Sequence, residues 1–246
     1  ERSCGRWNEA RVPPIETVTV VALAFLLAGF VKGVIGLGLP AVSLAVLTAT
    51  LGLKPAMVIL LAPSFVTNVW QGVVGGHLRE ILGRTWLLLL AACVATWFGV
   101  GVLAKSNADV LSGLLGLVLF SYALLGLLRL DPPRPGPWEP WLSPAVGLVS
   151  GLLNGMTGSF VVPGVLYLQS LGFSRDAFIQ SLGVLFTTST VALGLSLRGE
   201  GFVSLDLAIL SAGAVVPAIV GMMIGQAVRQ RLSEARRDVE HGLAVT

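Results

Sequence analysis

Lys32 is the only residue among Lys, Arg, Asp, Glu and His that lies deep inside a long apolar stretch of this sequence. A charged side chain in lipid is costly, so it usually faces a water-filled cavity or a partner. No acidic residue lies mid-stretch to pair with it, since Asp109 and Asp206 stand where their stretches begin. A lysine without an acidic partner, beside a glycine-rich segment, suggests a counter-charge for an anion. Snorkelling of its long side chain to the membrane surface is an equally good explanation.

Uncharged polar residues occur in later apolar stretches. Asn68 and Gln71 are three residues apart and therefore share one face of a helix. In the second half of the chain, Gln180, Thr187 and Thr188 are their neighbours or counterparts. Amide and hydroxyl donors of this kind suit an oxyanion. The same residue types also join membrane helices to one another, and for any single one of them that role is the better explanation.

No residue pattern indicates catalysis, a metal or a cofactor. His77 and His241 are far from any metal-ligand spacing, and Cys4 and Cys93 show neither metal nor redox spacing. The segment Gly36-x-Gly38-x-x-Ala41 fits a dinucleotide fingerprint only nominally, because it lies in an apolar stretch without a preceding strand. The sequence contains no nucleophile–base pair and no carboxylate pair. It therefore predicts no catalytic residues, no metal, no cofactor and no enzyme activity.

The composition indicates lipid as the solvent for much of the chain. Hydrophobic residues make up 54% and charged residues 12%, with a mean hydropathy of +0.86. A soluble domain carries about 25% charged residues. The net charge of +3 is spread over short loops and a C-terminal tail. Basic residues in that arrangement are topology signals and do not predict binding to nucleic acid.

Seven apolar stretches must position these residues. They are Thr17–Leu51, Pro55–Gly76, Thr85–Ala104, Asp109–Leu128, Leu142–Leu171, Ala177–Leu197 and Leu205–Val228. A spanning helix needs roughly 20 residues. Five stretches fit one crossing each, but the first and the fifth contain 35 and 30 residues. These two are too long for a single crossing.

Both long stretches are interrupted near the middle by helix-disfavouring residues. The first contains Gly33–Pro40, and the second contains Asn154–Ser159 followed by Pro163. Each is predicted to be a helical hairpin with its turn inside the membrane, where irregular backbone must be buried in protein or line a polar cavity. The arms that restart near Pro40 and Ser159 would present unpaired N–H groups and positive dipole ends. Two such ends facing each other would form an anion site.

The glycines of the two hairpins fall into two predicted groups. Gly29, Gly33, Gly147 and Gly151 are predicted to allow close helix packing. Cavity-lining backbone is predicted for Gly36, Gly38, Gly155 and Gly158.

The two hairpins belong to an internal repeat. Gly29-x-x-x-Gly33 matches Gly147-x-x-x-Gly151 at an offset of 118 residues (147 − 29). The predicted segments are an N-terminal polar tail (1–16), a first transmembrane repeat (17–128), a proline-rich linker (129–141), a second repeat (142–228) and a basic polar tail (229–246).

The distribution of basic residues predicts the orientation. If both long stretches are hairpins, the loops of one side carry 6 Lys and Arg residues and those of the other carry 9, whereas single crossings give 8 and 7. Because cytoplasmic loops are enriched in Lys and Arg, the hairpin arrangement is favoured. It places the N-terminus outside and the linker and C-terminus in the cytoplasm. The first repeat then crosses the membrane an odd number of times, so the second repeat is inverted.

The twin segments Gly29–Gly38 (GFVKGVIGLG) and Gly147–Gly158 (GLVSGLLNGMTG) resemble the glycine-rich motifs of the TauE/SafE sulfite exporter family. The resemblance extends from about Thr17 to Arg231. It implies a bacterial inner-membrane carrier of sulfite, sulfonates and related sulfur-containing anions. It also implies a last helix matching Asp109–Leu128, whereas Ser233–Thr246 is short and polar.

The sequence therefore predicts an all-α, polytopic membrane protein with two inverted repeats, each opening with a broken-helix hairpin. Its predicted function is secondary transport of a small sulfur-containing anion bound between the hairpin tips. The alternative is a membrane scaffold or assembly factor that retains the transporter fold. A homo-oligomer is left open. The predicted substrate-binding residues are Lys32, Gly36, Gly38, Asn68, Gln71, Asn154, Gly155, Thr157, Gly158 and Ser159.

Overall fold

The computed structural model describes residues 14–128, 132–160 and 162–243, and the side chains of these residues as far as residue 231. Apart from a 3₁₀ turn at Gly136–Trp138, the regular elements of this part are α-helices. They are α1 (Ile15–Ile35), α2 (Leu39–Leu51), α3 (Leu53–Val73), α4 (Leu78–Lys105), α5 (Ala108–Leu127), α6 (Glu139–Thr157), α7 (Gly164–Ser170), α8 (Arg175–Gly199), α9 (Leu205–Gly213) and α10 (Val215–Leu243).

Six segments of the described chain are long and apolar enough to cross a membrane. They are α1, α3, α4, α5, α8 and the segment Leu205–Arg231, which covers α9 and the first part of α10. The prediction of an all-α, multi-pass membrane protein is confirmed.

The first long stretch consists of two helices, as predicted. Helix α1 ends because Gly36 adopts a left-handed conformation (φ 91°) and donates its N–H to Lys32 O at 2.7 Å. Gly38 is also left-handed (φ 108°), and α2 begins directly after it with Pro40 in its first turn. Left-handed backbone is easy for glycine and ends a helix, whereas proline is tolerated at a helix start. The depth of this turn in the membrane remains a prediction.

The second long stretch is also two helices, but its break lies later than predicted. Residues 154–157 form the last turn of α6, because the left-handed residue that ends this helix is Gly158 (φ 75°). Gly158 donates its N–H to Asn154 O at 2.7 Å, which repeats the bond between Gly36 and Lys32. The chain becomes helical again at Gly164 and not near Ser159. Lys32 and Asn154 thus occupy the same position, four residues before a capping glycine.

The last apolar stretch is divided, which the sequence analysis did not predict. Helix α9 ends at Gly213 and α10 begins at Val215. Pro217 lacks the N–H that would bond to Gly213 O, so the helical ladder is interrupted there. Helix α10 continues to Leu243 and includes most of the predicted tail 229–246. The predicted tail 1–16 and linker 129–141 fall partly outside the described residues.

Two helix pairs, each joining one repeat to the other, pack through close glycine contacts. Helix α1 packs on α10, where a Cβ on Gly29 or Gly33 would collide with Ala218 O or Met222 O. Helix α6 packs on α4, where Gly147 and Gly151 meet Leu88 O and Ala92 O. The glycines are 118 residues apart (147 − 29) and their partners 130 (218 − 88). The packing role predicted for these four glycines matches these contacts, whereas the inversion of the repeats remains a prediction.

Arg84 clamps the second hairpin to α4. Its Nε and Nη2 atoms donate to the two carboxylate oxygens of Glu139 at 2.9 and 2.7 Å. Its Nη1 donates to Leu171 O at 3.1 Å, and its guanidinium stacks 4.9 Å from the centre of the Phe173 ring. One side chain therefore links α4 to the start of α6 and to the α7–α8 connection.

We expect Arg84→Ala to lower the free energy of unfolding by about 1–2 kcal/mol, because a bidentate but partly exposed ion pair and a hydrogen bond are lost. Thermal unfolding of the purified protein in detergent measures this change. Arg79→Ala is the matched control, because Arg79 is exposed and forms no ion pair within the described residues. Equal unfolding temperatures for the two variants would contradict the role of the clamp.

Candidate functional site

A small enclosed cavity lies where the two hairpin tips meet. Pro40 lines it from the start of α2, while Asn154, Gly158 and Phe160 line it from the second hairpin. The remaining lining residues come from α3 and α8 and are Leu60, Leu61, Ser64, Phe186, Ser189, Thr190 and Leu193. Its volume of about 10 Å³ is about the space that one water molecule requires. The structure is therefore closed around this cavity.

Apolar contacts of the tips also cross between the two halves. Leu37 of the first tip packs against the cluster that contains Phe160 and Phe186. Met156, before the second tip, packs against the cluster that contains Leu44 and Met57. Each tip is thus packed against an apolar cluster that contains residues of both halves.

Lys32 turns inward to α3. Its Nζ donates to Thr67 Oγ1 at 3.2 Å and to Asn68 Oδ1. Only 5% of the residue is exposed, so its amine does not snorkel to the surface. Ser64, Thr67, Asn68 and Gln71 follow each other at helical spacing and form one polar face of α3. The structure thus brings together Lys32 and Asn68, which the sequence analysis singled out separately.

Within the described residues Lys32 has only neutral partners. The close contacts between basic and acidic side chains found there join His77 to Glu80 and Arg84 to Glu139. A buried charge is normally compensated by an opposite charge or by strong hydrogen bonds. The environment of Lys32 therefore suits an anionic ligand.

Several buried donors have no hydrogen-bond partner in the described part of the chain. They include Ser64 Oγ, Asn68 Nδ2, Ser150 Oγ, Ser159 Oγ and Thr187 Oγ1. An unsatisfied buried polar group costs about 1–3 kcal/mol, so such a group beside a cavity indicates a bound molecule or water. Of these atoms, Ser64 Oγ belongs to a residue that lines the cavity, and Asn68 lies one turn further along the same face of α3.

Asn154 ties the second tip to two neighbouring helices. Its Nδ2 donates to Thr96 Oγ1 at 3.3 Å and to Ser189 O at 3.4 Å. The sequence predicted that Asn154 lies in the turn of the second hairpin. It lies instead in the last turn of α6, because α6 continues to Thr157. Asn154 still lines the cavity.

Gln71 serves the first tip in a comparable way. Its Nε2 donates to Gly36 O at 3.2 Å and to Ile179 O at 2.8 Å. Gln180 of α8 forms a similar bond, in which its Nε2 donates to Gly72 O at 2.9 Å. Both hydrogens of the Gln71 amide are engaged, so in this conformation the residue positions the tip and offers no donor to an anion.

The remaining predicted residues differ in their surroundings. Gly36 and Gly38 form the first turn, and Gly158 forms the start of the second and lies against Met57 and Leu44. The predicted cavity-lining role of Gly155 is corrected to helix packing, because Gly155 packs on Thr96 and Gly99 of α4, as Gly151 packs on Ala92.

The last two predicted substrate-binding residues, Thr157 and Ser159, are the sequence neighbours of Gly158. Thr157 Oγ1 donates to Leu153 O and accepts from Ser159 N, so it caps its own helix. Ser159 is fully buried, and its hydroxyl group has no partner among the described residues.

Sequence reasoning missed Ser64 and Ser189. Ser64 precedes Asn68 by four residues, so helical spacing could have found it. Ser189 contributes its backbone carbonyl group, which accepts a hydrogen bond from Asn154. A sequence carries no signal for such a backbone contact. The predicted counterpart Thr188 instead bonds its own helix at Val184 O.

Comparison with protein families identifies one match. The family model described as "Sulfite exporter TauE/SafE" matches residues 21–244. Comparison with curated proteins and with solved structures finds no match.

Proposed function

This chain belongs to the TauE/SafE sulfite exporter family, and we propose that it carries sulfite or small organosulfonates through the site between its two hairpin tips. Family membership and the six spans make it a multi-pass membrane transporter of sulfite or related anions. The choice of substrate and the place of binding belong to the proposal.

The observation that carries the proposal is the pair of unpartnered buried donors beside an uncompensated lysine. Ser64 Oγ and Asn68 Nδ2 lack partners in the described part of the chain, and Asn68 Oδ1 accepts from Lys32. An oxyanion entering here would accept from both donors and compensate the ammonium charge. A scaffold would gain nothing from leaving these donors unsatisfied.

The start of α2 supplies a further attraction. This helix has 13 residues, and no side chain of the described residues caps its N-terminus at Leu39, next to Pro40 of the cavity wall. Its first N–H groups therefore lack intrahelical partners and carry the positive end of the dipole. Helix α7 begins only at Gly164 and has seven residues, so the second tip contributes Asn154 and Gly158 rather than a helix end.

Transport through this site requires the tips to separate. A sulfite ion has four heavy atoms and does not fit the space of one water molecule. The Gln71 bonds to Gly36 O and Ile179 O hold the first tip closed, and the Asn154 bonds hold the second. Opening of one tip at a time would give the anion access from one side of the membrane.

Sulfite flux into proteoliposomes tests the proposed function. Wild-type protein should give saturable flux, and Ser64→Ala should raise the KM for sulfite about fivefold or more, because one donor to the anion is lost. Ser112→Ala is the control, because Ser112 lies on α5 and, among the described residues, its side chain bonds only Ala108 O of its own helix. Absence of sulfite and sulfonate flux in the wild type would favour the scaffold alternative.

The proposed orientation places the N-terminus outside and the linker and C-terminus in the cytoplasm of an inner-membrane protein. In a variant without native cysteines, we expect Arg134→Cys to be protected from a membrane-impermeant thiol reagent in intact cells. Glu200→Cys, at the exposed α8–α9 connection, should react. Modification of residue 134 from outside would reverse the orientation.

A further inference from the structure

Proline interrupts α3 directly beside the proposed site. Pro63 lies inside this helix, one residue before Ser64. Because proline has no N–H, it cannot donate to the carbonyl group four residues earlier, which belongs to Ile59. An unpaired carbonyl group in the interior of a membrane protein is costly, so it needs a partner from elsewhere.

Ser211 of α9 supplies that partner. Its Oγ donates to Ile59 O at 2.9 Å and accepts from Ala62 N at 3.0 Å. Only 4% of Ser211 is exposed. A single hydroxyl group from another helix, about 150 residues away in sequence, therefore bonds a carbonyl group and an N–H group of α3 in the turn that precedes Pro63.

The interrupted segment continues directly into the donors of the proposed site. Ser64 follows Pro63 and lines the cavity. Thr67 Oγ1 donates to Pro63 O at 2.8 Å and accepts from Lys32 Nζ at 3.2 Å. A change in the course of α3 at Pro63 would therefore move Ser64 and also the residues that hold Lys32.

We propose that Ser211 is a positioning residue of the anion site, acting through the backbone of α3 at Pro63. The inference rests on the proposed function, since it takes Ser64 and Lys32 as contacts of the anion. Ser211 does not line the cavity. It fixes the course of α3 at Pro63, which places Ser64 at the cavity and Thr67 and Asn68 against Lys32.

The test is sulfite transport by the full-length chain in proteoliposomes, combined with thermal unfolding. Ser211→Ala should raise the KM for sulfite about fivefold, because misplacing one donor costs about one hydrogen bond. Ser211→Thr keeps the hydroxyl group and should restore the KM. Ser196→Ala is the control, because the side chain of this similarly buried serine bonds only Ala192 O of its own helix in the part of the chain that the structure describes.

A double-mutant cycle with Pro63 separates positioning from general stability. Pro63→Ala supplies an N–H that can bond Ile59 O, so Ser211→Ala should change the KM much less in that background. Equal effects of Ser211→Ala with and without Pro63 would overturn the mechanism. A lower unfolding temperature with an unchanged KM would reduce Ser211 to a structural role and also overturn it. Wild-type protein without saturable sulfite transport would overturn the proposed function as well, whereas the first two results leave that function standing.

Discussion

Lys32→Ala is expected to weaken sulfite binding about tenfold or more, because a charged hydrogen bond of roughly 1.5–3 kcal/mol is lost. The loss should be larger than for Ser64→Ala, since Lys32 is the only acidic or basic side chain at the proposed site within the described residues. The variant should also discriminate less between substrates of different charge. The KM for sulfite flux in proteoliposomes measures the first effect. Competition by a sulfonate and by sulfate measures the second.

Two companion variants separate the charge of Lys32 from its hydrogen bonds. Lys32→Gln keeps donors for Thr67 and Asn68 but removes the charge, so it should bind sulfite as weakly as the alanine variant. Lys105→Ala removes an exposed lysine at the end of α4 and should leave the KM unchanged. Unfolding temperatures close to that of the wild type would show that the proteins compared are folded.

Asn154→Ala provides an independent test from the second tip. It removes the bonds to Thr96 and Ser189 and one polar group of the cavity, so it should also lower sulfite affinity. If Lys32→Ala and Asn154→Ala both transport sulfite with unchanged affinity, the anion does not bind at these tips.

Gly151→Ala should cost about 3 kcal/mol or more of stability and leave little folded protein, at the upper end of what overpacking costs. A Cβ on Gly151 would collide with the O, Cα and C atoms of Ala92. Backbone atoms cannot rotate away as a side chain can, so α6 and α4 would have to separate. Gly29→Ala should act similarly, because its Cβ would collide with Ala218 O of α10.

Helix α5 offers a matched control for the glycine variants. A Cβ on Gly113 or Gly116 would have no atom within 4 Å. Alanine there should be neutral or stabilise by up to about 1 kcal/mol, because alanine favours helix over glycine. Gel filtration and thermal unfolding in detergent compare the variants. A Gly151→Ala protein as stable as Gly113→Ala would mean that the α4–α6 contact is looser than the structure shows.

Composition and pattern were sufficient for most of the architecture. Apolar length predicts the spans, and the interruptions at Gly36–Gly38 and Gly158 follow from residues that end helices by their own backbone preferences. Because no acidic residue lies in the middle of an apolar stretch, the sequence also indicated that Lys32 does not form an ordinary ion pair. These properties act locally, so they operate before the helices have packed.

Local signals were less accurate where several helix breakers lie close together. The segment Asn154–Ser159 contains two glycines, but only Gly158 is left-handed and ends α6, while Gly155 stays helical against α4. Both glycines look alike in sequence. What distinguishes them is which one faces a neighbouring backbone and which one lies at the end of the helix.

Partners of the polar side chains were decided by the tertiary structure alone. Lys32 could have snorkelled to the surface, and its bonds to Thr67 and Asn68 depend on how α1 and α3 are rotated against each other. The Ser211 bond to Ile59 joins residues 152 positions apart, and Glu139 meets Arg84 across 55. Residue spacing determines which side chains share a helix face. The depth and rotation of each helix are set only when glycine contacts bring the helices together. Depth and rotation then determine which residues that helix face contacts.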